Sequence, residues 1–420
     1  MGKLHIDELR PGMRLQSDVF GMRNRKLFPA GTVLEDRQIT AMKAWGVTEA
    51  EIEGVSRKDL ADQPGPEIPP QMLEAARGVV DDCFRGTHTG NEFMEEFHRL
   101  CVLRTAMRIQ QGTFSPMLSS QLDELRTQCA DRNTERRPES ARMLVATEVK
   151  LLSFPHVYTH ILREMQSPAC SARRLGEIVS RDTGLTAKIL RLVNSPFYGF
   201  PARIDTVERA ITILGANELT TLALGISAVN IFGSVPSDVL NMRHFWEHSI
   251  SCGVLARLIA GHIPGLSEER FFVGGLLHDI GMLLMLRCTP KAQCCALLHS
   301  RDNKVPLEEA ERHTYGFDHA EVGGLLLKAW SIPQTLAHMV RNHHSPQKNQ
   351  PLLDAAIIHL ADMLALGLRS NDYSAFYAPK ISPQVLDAVG LPPSALEPML
   401  IQHHRQMSEM IHVFFAGGLA

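Results

Sequence analysis

Residues 274–281 read Gly-Gly-Leu-Leu-His-Asp-Ile-Gly, so His278 and Asp279 stand side by side in an apolar helical stretch. Burying an imidazole next to a carboxylate is costly unless both bind something, and a divalent cation satisfies both. Neighbours on a helix point about 100° apart, so the two reach one ion only if it lies between their helix and another. Further ligands must then come from elsewhere. His248, in Trp246-Glu247-His248-Ser249, and Asp362, in His359-Leu360-Ala361-Asp362, are the candidates. Together the four offer the nitrogen and oxygen donors that suit divalent iron, manganese, zinc or magnesium. His319, His343 and His344 are candidates for a second ion, and two ions a few Å apart clamp phosphoryl oxygens and activate water. The competing reading is metal-free: His278 and Asp279 bond to each other or to buried backbone, His319 and His344 are structural, and His343 faces solvent.

Histidine is the compositional anomaly, since 14 of the 19 lie beyond residue 240. His244, His262, His299, His313, His338, His359, His403, His404 and His412 show no partner pattern and read as surface or interhelical groups. The eight cysteines include no Cys-x-x-Cys pair and read as reduced thiols; for the adjacent Cys294 and Cys295, packing is expected rather than a mutual disulfide. Lys plus Arg number 43 against 46 Asp plus Glu, so no global field draws the chain to nucleic acid or anionic lipid. Charges interrupt every apolar stretch of the N-terminus, which excludes a secretory signal there. The uncharged run Leu219–Ser237 carries too many polar residues for membrane insertion and reads as a buried helix. A cytoplasmic location is the expectation.

The elements that must position these residues follow from periodicity and punctuation. Residues 1–54 read as a small β-rich domain, with Pro11-Gly12, Gly21 and Pro29-Ala30-Gly31 separating short apolar segments, and with a helix from Glu35 to Ala44. Four prolines crowd into residues 64–70, which places a linker at 55–70. Residues 71–143 form a helical connector, marked by the stripe Phe93, Phe97, Leu100 and Cys101 and ending in a polar hinge at Asp131–Ser140. Residues 144–370 are a procession of amphipathic segments with no sustained period of two, hence an all-helical domain, and 371–420 is a helical extension docked on it. Arg181-Asp182-Thr183-Gly184 between two helical patterns suggests a helix-turn-helix, but Leu185, Ile189, Leu190, Leu192 and Val193 make the second helix apolar. Core packing is expected there, not DNA reading.

Several stretches then carry a resemblance. They are Leu152-Ser153-Phe154-Pro155, Arg181 to Thr186, Leu192 to Gly199, Ile204 to Ile211, Gly275 to Gly281, Tyr315 to Gly323, and Asn342-His343-His344. With the order His248, His278-Asp279, Asp362, they resemble the HD superfamily of metal-dependent phosphohydrolases, and within it the HD-related output domain (HDOD) of bacterial signalling proteins. The N-terminal LRPGMRLQSDVF and LFPAGTVL resemble the small domain that precedes the catalytic region of HD-GYP cyclic di-GMP phosphodiesterases.

The resemblance implies a mainly α protein: a helical HD-superfamily-like C-terminal domain behind a small β-containing N-terminal one. It also implies a signal-transduction role as a non-catalytic binding or scaffolding module, with a protein partner and a nucleotide as candidate ligand. Met282 stands where active HD-GYP enzymes carry a lysine, and no Gly-Tyr-Pro follows His344, which favours the module. The alternative is a metal-dependent phosphohydrolase, cyclic dinucleotide phosphodiesterase-like, using His248, His278, Asp279 and Asp362.

Overall fold

The computed structural model describes residues 3–5, 9–21, 25–35, 37–39, 42, 47, 49–53, 68–85, 90–114, 138–148, 156–165, 167, 169–195, 197–200, 202–232, 240–348, 352–369 and 377–415. Most of the expected linker and the expected hinge from 131 to 137 lie outside them.

Short apolar segments at the N-terminus pair as two small antiparallel ladders. Strand β1 (Lys3–His5) pairs with β4 (Glu49–Glu51), and β2 (Val19–Gly21) pairs with β3 (Arg25–Phe28). Gly12 and Gly31 hold φ of +94° and +81° in the turns, a region that glycine enters without Cβ strain. Leu4, Leu15, Leu34, Met42 and Ile52 close a small core of their own. Residues 37–39 and 42, within the expected helix, are helical.

The rest of the described chain is helical. Helices α1 (Pro70–Cys83) and α2 (Glu92–Gln110) come first, followed by α3 (Ala141–Glu148), α4 (His156–Met165), α5 (Ala172–Val179), α6 (Thr183–Val193), α7 (Val207–Leu214) and α8 (Ala216–Ile231). Next are α9 (Met242–Gly261), α10 (Glu268–Leu277), α11 (Ile280–Cys288), α12 (Pro290–Asn303), α13 (Leu307–Tyr315), α14 (His319–Ala329) and α15 (Gln334–Asn342). The last are α16 (Leu352–Gly367), α17 (Pro383–Val389) and α18 (Leu396–Phe415). Caps fix many of the starts: Asn91, Asp182, Asn241 and Asp318 each accept a backbone N–H from the first turn of α2, α6, α9 and α14. The α6 residues Leu185, Ile189, Leu192 and Val193 are buried, so this helix packs inward and offers no base-reading face. Asn194 locks its end by donating to Leu190 O and Ile204 O while accepting from Ile204 N.

One hydrophobic cluster runs from Ala76 to Phe414, so α1 and α2 before the middle domain and α18 after it share its core. Phe93, Phe97, Leu100 and Cys101 all point into it, as the stripe predicts. Helix α9 packs against α10, α16 and α18, while α14 packs against α11 and α15. Two glycine contacts set these approaches. A Cβ on Gly275 would lie 2.7 Å from Gly253 Cα, so α9 and α10 touch through bare backbone. A Cβ on Gly281 would lie 2.5 Å from Gly323 N and closer still to His319 O, so α11 and α14 do the same.

Among the described residues, one helical stretch is long and apolar enough to cross a membrane, Glu268–Cys288, and 83% of its apolar window is buried in the protein. It is α10 and α11 together, interrupted at His278-Asp279. The expectation of eight reduced thiols needs correction: among the described residues, Cys294 is in a disulfide, a pairing set by proximity in the fold that spacing does not reveal. Cys295 beside it is in no disulfide, nor are Cys83, Cys101, Cys170, Cys252 and Cys288.

Candidate metal centre

The seven sequence candidates converge. His248 comes from the second turn of α9, His278 and Asp279 from the break between α10 and α11, and His319 from the first residue of α14. His343 and His344 follow α15, and Asp362 lies within α16. Asp279 precedes α11 but does not cap it, so its carboxylate is left for other partners. Ligand atoms of Asp279, His319, His343 and His344 lie within 4.8 Å of one another, as do those of His248, His278 and Asp279, and those of His278, His343 and Asp362.

Asp279 joins the sets with its two oxygens. Oδ2 lies 3.1 Å from His278 Nε2 and 3.8 Å from His248 Nε2, while Oδ1 lies 3.1 Å from His319 Nε2 and 3.7 Å from His343 Nε2. Asp362 Oδ1 lies 3.1 Å from His248 Nε2 and 3.5 Å from His278 Nε2. A further short contact, 2.8 Å, joins His344 Nε2 to His319 Nε2.

The proton positions decide what this cluster can hold. His278 Nδ1 is 2.7 Å from Gly275 O and His343 Nδ1 is 2.7 Å from Val340 O; a carbonyl only accepts, so each Nδ1 carries the hydrogen. His319 Nδ1 likewise donates to the Glu311 carboxylate, whose Oε2 also accepts the His319 backbone N–H at 2.8 Å. With Nδ1 committed in this way, Nε2 is the atom that each of the three rings turns toward the carboxylate oxygens. His278 Nε2 and His343 Nε2 are buried and make no hydrogen bond, the 3.1 Å approach of His278 to Asp279 being misdirected for one. Imidazole nitrogens and carboxylates facing a common space are a donor set that would fit divalent cations. His343 is correspondingly buried rather than solvent-facing, because Val340 O turns its ring inward at the end of α15.

Electrostatics agree with a site built for positive charge. Burial disfavours the charged forms of Asp279 and Asp362, yet the surrounding imidazoles outweigh it and hold both carboxyls well below their ordinary range. Burial likewise works against protonated His278 and His319. Asp279 overrides it for His278 and Glu311 for His319, and both rings are pushed well above the usual imidazole value. In His344, burial joined by His343 and His319 pushes the ring well below it.

Glu311 was not among the sequence candidates. Eight residues before His319 on another helix, it carries no motif signal; only the turn at Gly316 brings it under the ring. Gln293 Nε2 donates to its other oxygen at 2.6 Å. His359, set aside by the sequence, is interhelical as expected: its Nδ1 donates to His343 O at 2.6 Å and so fixes the backbone of a ligand candidate. A cavity of about 450 Å³ reaches His248 and Asp279 from one side, so the cluster is open to small molecules.

A helical bundle with a His, His-Asp, His, His, Asp cluster defines the class, an HD-superfamily-like domain. More narrowly, residues 151–346 match the HDOD domain family. The match begins at 151, so the N-terminal resemblance stays an expectation. A candidate phosphohydrolase from Shewanella amazonensis is similar in fold, with TM-score 0.51 and 23% identity, covering 64% of this chain and 98% of that one. A candidate signal transduction protein from Marinobacter aquaeolei is similar at TM-score 0.51 and 18% identity, over 70% of this chain and 66% of that one. An uncharacterised protein of Treponema pallidum is 21% identical over 232 residues, 53% of this chain but 44% of that relative. The chain thus spans under half the length of that relative.

Proposed function

We propose that this chain is a signalling protein whose HDOD domain holds two divalent cations and acts on a phosphate ester as a metal-dependent phosphohydrolase. The observation that carries the reading is the convergence of the Nε2 atoms of His278, His319 and His343 on the carboxylate of Asp279. His248, His278, Asp279 and Asp362 would hold one ion, and Asp279, His319, His343 and His344 the other. Divalent cations held there would supply Lewis-acid chemistry toward phosphoryl oxygens and water. The protein's share is orientation: Gly275 O, Val340 O and Glu311 each fix one ring with Nε2 inward, and the cavity admits the ester.

Met282, which lines that cavity where a lysine stands in the enzymes this domain resembles, favours a second reading, a non-catalytic module that binds a nucleotide or a protein partner. Two measurements separate them. Elemental analysis of chelator-free protein should find about two equivalents of iron, manganese or zinc, lost in Asp279→Asn. Turnover of bis(p-nitrophenyl) phosphate should depend on the same residue. Metal without turnover on this ester or on cyclic dinucleotides supports the module, and absence of metal leaves the His-Asp pair structural.

A further inference from the structure

The cavity that opens on His248 and Asp279 is walled largely by segments outside the HDOD match. Helix α2 contributes Arg104 and Arg108, the residue after Leu368 adds Arg369, and α18 adds His403, Met407 and Ile411. Arg104 and Arg108 are four residues apart on α2 and so stack on one face. Arg108 Nη1 donates to Leu368 O at 3.0 Å and to Arg369 O, which fixes its guanidinium at the wall just beyond the helix that bears Asp362. Neither Arg104 nor Arg108 forms an ion pair among the described residues.

Both guanidiniums are largely removed from water. Burial lowers the pKa of Arg104, and burial followed by repulsion from Arg104 lowers that of Arg108 to about 10. The carboxylates on the same cavity are otherwise engaged: Glu247 accepts from Arg243 Nε at 2.9 Å, and Asp279 faces the histidines. Neighbouring half-buried cations without an acid are unfavourable unless an anion joins them. The remaining wall is apolar, with Leu240, Phe245, Met282, Met407 and Ile411.

We propose that this cavity binds an organic phosphate monoester or diester. Its phosphate sits at the Arg104–Arg108 face, on the side toward His248, and its apolar or aromatic part lies against Phe245, Met407 and Ile411. The arginines replace the cation that Met282 lacks, and because α2 and α18 supply the walls, ligand occupancy ties the segments flanking the domain to it. The inference rests on the phosphohydrolase reading for the reaction that follows binding, but not for the binding itself.

The test is calorimetric titration of the full-length chain with adenosine 5′-monophosphate and with phenyl phosphate. Saturable binding of either ester is expected, weakened about tenfold or more in Arg104→Gln and partly restored in Arg104→Lys, with melting temperature and metal content unchanged. Should Arg104→Gln fail to fold, salt carries the same test on the unsubstituted chain: affinity must fall steeply as ionic strength rises. Failure of both esters to bind, or equal binding by Arg104→Gln, overturns the proposal. Arg104-dependent binding to a protein that proves free of metal upholds the cavity while removing the hydrolase reading.

Discussion

Gly281 on α11 lies against the His319 carbonyl of α14 with no room for even a methyl group between them. That contact sets the distance at which His319 meets Asp279, two residues before the glycine. The His/Asp cluster is therefore held by backbone proximity as much as by its own side chains, and the same holds on the other side, where Gly275 of α10 meets Gly253 of α9.

Gly281→Ala should separate α11 from α14. Neighbours there are backbone atoms, which cannot swing aside, so the cost is that of overpacking, about 1–3 kcal/mol or more. Urea denaturation should show the lowered midpoint, and elemental analysis should show fewer metal equivalents per chain than in the unsubstituted protein.

Glu311→Gln removes the negative charge behind His319 while keeping its size. The ring loses the partner that fixes its tautomer, and metal affinity should fall about 10- to 100-fold with the helical circular dichroism unchanged. Competition against a chelator of known affinity reads this directly.

Asn194→Ala is the control at a distance from the site. It deletes the bonds to Ile204 N and O and leaves buried backbone groups short of partners, at about 1–3 kcal/mol. Metal content should not change.

His403 predicts a pH dependence. Burial, reinforced by Arg104, His404 and Arg108, pushes its pKa from 6.5 to about 3. Its Nε2 sits 2.8 Å from Ser251 Oγ. The folded protein keeps this ring neutral while the unfolded chain protonates it near its ordinary value, so the unfolded state binds more protons between the two. Stability is therefore full above about pH 6.5 and declines as pH falls toward 3, by up to about 5 kcal/mol from this group. Melting temperatures from pH 7 to 4 should flatten in His403→Gln; an unchanged slope would assign the acid loss elsewhere.

The candidate residues were legible because their types are rare in apolar helices. His278-Asp279 between Leu277 and Ile280 has no inexpensive explanation in a core, and His248, Asp362, His319, His343 and His344 follow it in a recognisable order. Helices such as α2 were legible too, since Phe93, Phe97 and Cys101 repeat at the helical period. Glu311, Arg104 and Arg108 were not, because a residue that supports a ligand or walls a cavity from another helix leaves no spacing of its own. His343 shows the same limit in reverse: next to His344 in sequence, it is turned inward by one bond to Val340 O, which only the end of α15 decides.

The sequence by itself determined the helical class, the β-containing N-terminal segment, and the set of imidazoles and carboxylates available to a cation, since hydrophobic period and donor chemistry are local properties. Only the tertiary structure decided that Asp279 shares its two oxygens between two groups of histidines, which ring nitrogen each turns toward a carboxylate, and that three arginines stand beside them. Those depend on where helices cross, and the crossings are set by backbone contacts at Gly253, Gly275, Gly281 and Gly323 between residues far apart in the chain.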